Sequence, residues 1–94
     1  MIIRPEAEAD LATARDWYEG QRVGLGAEFL LCVEEVLERI SRTPEMYRVV
    51  HRDIRRVLTR RFPYAVYYCI AGNDVVVLGI LHTRRDPREW QSRA

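Results

Sequence analysis

From Phe62 to His82 the chain reads FPYAVYYCIAGNDVVVLGILH. Two apolar runs joined by so short a polar turn make a β-hairpin the most constrained part of any fold available to it. In the first run Phe62, Tyr64, Val66, Tyr68 and Ile70 fall on one face, and Pro63, Ala65, Tyr67 and Cys69 on the other. The second run, Val75 to Leu81, is continuously apolar, which requires a central strand covered on both faces.

The rest of the chain supplies the cover. Met1–Ile3 is a short apolar start, read as an edge strand. Pro5 suits the first turn of a helix, and Glu6, Glu8 and Asp10 favour its positive end. Ala7, Leu11, Ala14 and Tyr18 recur at helical spacing, so helix one is expected over residues 5–19 with Gly20 as its stop. GQRVGLG is a hinge. Helix two is expected over 25–41, with Phe29, Val33, Val36, Leu37 and Ile40 inward, Glu34, Glu35 and Glu38 outward, and Pro44 marking its end. A half-exposed strand follows at 54–59. The expected class is therefore α+β, in the order β-α-α-β-β-β, with a helical hairpin packed on a mostly antiparallel sheet. The 94 residues form a single domain, 1–94. Trp17 and Tyr18 are read as core rather than as a dimer surface.

After the central strand comes LHTRRDPREW. Asp86 is a candidate N-cap, Pro87 stands at N1 and Glu89 at N3, a capping-box pattern that starts a short helix or turn. Trp90 is then placed to fold back over one face of the sheet.

All fifteen basic residues are arginine, and the net charge of +1 conceals a division. Residues 1–45 hold five arginines against ten acids; residues 46–94 hold ten arginines against four. Guanidinium groups grip carboxylates and phosphates in a forked geometry and do not deprotonate, so they clamp anions but make poor bases. Arg48, Arg52, Arg55, Arg56, Arg60, Arg61, Arg84, Arg85 and Arg88 interleave with Tyr47, Phe62, Tyr64 and Trp90. Such a mixture is either a solvated strand face or an anion-binding face for nucleic acid or an acidic peptide.

Metal and cofactor chemistry are not expected. His51 and His82 are the only histidines, and no HxxxH, CxxC or glycine-rich phosphate loop is present. Cys32 and Cys69 read as small apolar residues in a reducing compartment. No apolar run spans a bilayer and no basic-then-apolar leader follows Met1, so the expected location is the cytoplasm, with no membrane partner. His82 is the one residue near the arginine cluster whose side chain ordinarily titrates near neutrality.

Taken together, DLATARDWYEG, RRFPYAVYYCI and VVVLGILHTRRDPREW resemble the RelE/ParE superfamily of toxins of bacterial type II toxin–antitoxin systems, over nearly the whole chain. The RFPYAVYY strand and the closing HTRRDPREW resemble its ParE-like branch. The resemblance implies a toxin of the plasmid-stabilisation kind that causes growth arrest by poisoning DNA gyrase. It also implies a cognate antitoxin that wraps the toxin and alone touches operator DNA. An Arg-rich face made of Arg55, Arg56, Arg60, Arg61, Tyr64, Arg84, Arg85 and Trp90 would bind the antitoxin or the target.

The RelE-like branch, which cleaves mRNA on the ribosome, is the alternative. There the strand arginine falls at Tyr64 and the terminal tyrosine at Trp90, leaving only Arg84 in common, and its lysines have no lysine counterpart here. Arg61, His82 and Arg84 are the catalytic candidates if that branch applies. A further alternative is an inactive homologue that only binds its antitoxin and serves autoregulation.

Overall fold

The computed structural model describes all 94 residues. The elements run β1 (Ile2–Ile3), α1 (Pro5–Gln21), α2 (Leu25–Arg42), β2 (Val49–His51), β3 (Ile54–Leu58), β4 (Tyr64–Ala71), β5 (Asp74–His82) and α3 (Pro87–Gln91). One five-stranded sheet has the order β1-β5-β4-β3-β2. Every neighbouring pair is antiparallel except β1 with β5. The α+β expectation holds, and the helical hairpin lies on one face of the sheet. β2 was not anticipated. Its three residues are too few to display an alternation, and they pair with β3 across a register shift. No helix is long and apolar enough to cross a membrane.

Local chemistry accounts for the helical hairpin. Pro5 opens α1 as expected, with Glu6 and Glu8 in its first turn. The helix runs past Gly20 and stops at Arg22, whose backbone is extended. Gly24, at φ 89°, is the left-handed residue of the expected hinge and stands at the N-cap of α2. The Glu19 carboxylate accepts from the N–H groups of Gly24 and Gly26 at 2.9 and 3.0 Å, satisfying free donors at the start of α2. A Cβ on residue 26 would lie 2.9 Å from the Arg15 carbonyl oxygen, so glycine there sets how closely the helices approach.

The sheet buries both faces. Phe62, Val66, Tyr68 and Val77 face the helices and pack with Phe29, Val33, Val36 and Ile40 of α2. Against the opposite face pack Ile54, Ala65, Tyr67, Leu78, Leu81 and Trp90. The two-faced reading of residues 62–70 is thereby borne out. Trp90 does fold back: its indole is 5% exposed and stacks on Tyr67 with ring centres 4.6 Å apart. The capping box forms only in part. Asp86 accepts from the Arg88 N–H, but the Glu89 side chain turns to Arg85.

Trp17 departs from expectation. Tyr18 is core, whereas Trp17 is 60% exposed, because the two neighbours point about 100° apart around the helix and only one can face the sheet.

A part-buried ion pair closes the open flank of β5. β1 reaches only Val76 and Val77. Beyond it, Asp10 of α1 accepts from the Ile80 N–H at 3.1 Å, and Arg93 donates to the Leu78 carbonyl at 3.1 Å and to Asp10. Arg4 in turn donates to the Arg93 carbonyl at 2.9 Å. Side chains thus do what a longer β1 would have done.

Candidate functional site

The arginines separate into those engaged within the chain and those free of it. Arg55, on the helix side of β3, donates to the carbonyls of Glu45 and Tyr47 at 2.9 and 2.7 Å. Together with Tyr68, whose hydroxyl donates to the Pro44 carbonyl, it pins the loop between α2 and β2. Arg60 pairs with Glu35 and Arg61 with Glu28, each at 3.3 Å, so the β3–β4 turn is drawn onto the acidic side of α2. Hydrogen bonds from Arg22 and Arg61 hold the Glu28 carboxyl below its ordinary range. Arg85 pairs with Glu89 and Arg88 with Asp86, both at 2.6 Å. Much of the charge division between the halves is therefore answered inside the molecule, as Arg60, Arg61 and Arg93 of the second half meet Glu35, Glu28 and Asp10 of the first. Most of these pairs are exposed, contribute little to stability and exchange readily for an outside carboxylate.

Of the second half's arginines, Arg48, Arg52, Arg56 and Arg84 have no carboxylate partner and, unlike Arg55, hold no carbonyl with their side chains. Three of them belong to the β2–β3 arm and one to the end of β5. Arg48 and Arg52 lie outside the arginines named from the resemblance. No signal in a one-dimensional pattern separates a free guanidinium from one whose acid lies elsewhere in the chain.

At the end of β5 His82 stands opposite Tyr64 across the β4–β5 ladder, their rings edge to face at 5.4 Å. The two line a groove of about 460 Å³ with Thr13, Ala14, Trp17, Tyr18 and Pro63. Arg84 sits beside His82, and its N–H donates to His82 Nδ1 at 3.0 Å. The Arg61 guanidinium is turned to Glu28 on α2 and lies 5.5 Å from the centre of the Phe62 ring. Of the three nuclease candidates, His82 and Arg84 are neighbours, while Arg61 is engaged with α2. Trp90 is stacked in the core and offers no ring to a substrate.

Burial pushes the hydroxyls of Tyr18, Tyr64 and Tyr68 above the ordinary phenol value of 10.0, with Tyr64 adding to the effect at Tyr18 and Arg85 opposing it at Tyr64. The folded state holds these protons more tightly than the unfolded chain does. Their contribution is intact below the unfolded value of about 10 and is lost as pH rises through the folded values. Urea midpoints followed from about pH 8 to pH 11 are expected to stay level as far as these groups are concerned and then fall. Midpoints that rise past pH 10 would contradict the burial of these rings.

The chain matches the family model of the ParE toxin of the type II toxin–antitoxin system parDE over residues 1–87. It belongs to the ParE toxin family. The fold is similar to that of a solved structure of the chromosomal ParDE toxin–antitoxin system from P. aeruginosa, with a TM-score of 0.62 and 18% identity over 87% of this chain and 95% of that one. At that identity the likeness speaks for the fold. No curated protein matches the sequence. Membership in a ParDE-type family implies an antitoxin partner. The residues matched to ParE stop short of Trp90 and Arg93, so the tail that closes the second core lies beyond the matched stretch.

Proposed function

We propose that this ParE-family chain is a cytoplasmic toxin that inhibits DNA gyrase, arrests replication, and is neutralised when a cognate antitoxin covers its free arginines. The family match over residues 1–87 carries the reading. The disposition of the nuclease candidates supports gyrase over mRNA as the target. Tyr64 stands where the nuclease branch has its strand arginine, His82 Nδ1 is occupied, and Trp90 is buried. Arginines that stabilise charge do not replace an abstracting base.

Growth is expected to stop when the chain is made alone and to resume when the antitoxin is made with it. The purified chain is expected to block supercoiling by gyrase, and Arg84→Ala to weaken that block. Ribosome-dependent cleavage of mRNA, read by primer extension while gyrase remains unimpeded, would replace this reading with the nuclease one. Soluble expression without arrest would remove the toxin reading altogether.

A further inference from the structure

Arg52 is one of two non-glycine residues whose backbone is left-handed, at φ 51°. It opens the two-residue turn between His51 and Ile54, which pair across the β2–β3 ladder. Glycine would sit there without strain, so the turn by itself gives no reason for an arginine. The Arg52 guanidinium has no carboxylate partner. It lines an open groove of about 400 Å³ with His51, Arg88, Gln91, Ser92 and Ala94. The β2–β3 turn is one wall of this groove and the end of α3 is the other. Asp86 holds Arg88 in place, accepting from its Nε at 3.0 Å and from Nη2 at 2.6 Å. Nη1 is left free, and the side chain is 87% exposed. The His51 ring stands edge to face with Trp90, their centres 6.1 Å apart. Asp53, the second residue of the turn, is not part of the groove. Its influence falls on Cys69, whose thiol is pushed up by burial first and by Asp53 next.

We propose that Arg52 and Arg88 form a seat for a backbone phosphate of duplex DNA. This rests on the reading that the chain acts on gyrase, whose substrate is duplex DNA, and it adds a contact with that substrate. Neither arginine belongs to the set expected to meet the antitoxin or the target. Two guanidiniums lining one groove match phosphate oxygens in forked geometry, and the Gln91 amide adds neutral donors. Ala94 is the one apolar residue of the lining, so a peptide would bury almost nothing apolar there. A phosphodiester asks only for donors and positive charge. Single strands fit less well, because they bind by stacking bases on open rings. The rings on this face, Tyr67 and Trp90, are buried and stacked on each other. A duplex keeps its bases inside and its phosphates outside, where an open groove meets them without reading sequence.

The test measures binding of the full chain to a fluorescent DNA duplex over a range of salt concentrations. Arg52→Gly is expected to melt no lower than the parent, since glycine relieves the turn. Combined with Arg88→Ala, it is expected to bind the duplex about fivefold or more weakly. The slope of log affinity against log salt should shrink by about one, the loss of one phosphate contact. Arg42→Ala, whose guanidinium pairs with Glu38 on α2, is expected to change neither. Undiminished binding by the double variant overturns the proposal, and so does tighter binding of a single strand of the same length. If inorganic phosphate, matched to the phosphates of the duplex, displaces the DNA, the groove takes the free ion and the proposal falls. If polyglutamate loses affinity in the double variant while the duplex does not, the seat takes carboxylates and the proposal falls as well. Inhibition of gyrase by the parent, measured alongside, keeps the two readings apart. Inhibition without duplex binding removes the phosphate seat and leaves the toxin reading standing; if neither occurs, both fall.

Discussion

Leu78→Asp is expected to unfold the chain. Leu78 is fully buried in the cluster on the sheet face away from the helical hairpin, among Ile54, Ala65, Tyr67, Val76, Leu81 and Trp90. None of those side chains offers a positive charge. An unpaired carboxylate there costs several kcal/mol after relaxation, on top of the lost apolar burial. A domain of this size has about 5–15 kcal/mol in all, so the change removes most or all of its stability. Circular dichroism should show no cooperative melt. A melt within a few degrees of the parent's would mean that this face is not a core and that Trp90 does not close it.

Asp10→Ala is expected to lose about 3 kcal/mol, the low end for breaking a buried pair, because some water reaches both groups. The Asp10 and Arg93 side chains are 13% and 17% exposed. Without Asp10 the Ile80 N–H loses its acceptor and Arg93 is left as an uncompensated cation beside the Leu78 carbonyl. Adding Arg93→Met to Asp10→Ala should restore part of the loss, since the stranded charge is then gone. Urea unfolding of the four proteins of this cycle measures it. A loss under about 1 kcal/mol for Asp10→Ala would show that the clasp on the tail is ornamental to stability.

The two cases differ in how visible they were beforehand. Leu78 lies in VVVLGIL, where an unbroken apolar run requires cover on both faces, and the structure supplies it from α1 on one side and the tail on the other. The hairpin of β4 and β5, the helical pair and the return of Trp90 followed from period, turn residues and a proline at N1. These are signals carried within a dozen neighbouring residues. The Asp10–Arg93 pair had no such signal, because its members are 83 residues apart.

The arginines divide along the same line. Composition alone established that the second half is cationic, that its cations are forked and permanently charged, and that no metal-binding motif accompanies them. Only the folded chain decided which of them are free. Arg60 and Arg61 meet acids from α2, Arg55 holds a loop by its carbonyls, and Arg56 on β3 and Arg48 just before the unforeseen edge strand β2 are left without a carboxylate. Local patterns dictate secondary structure because backbone geometry repeats over a few residues. The fate of a charge depends on what the fold places within about 4 Å of it, and that distance is set by segments the local pattern never sees.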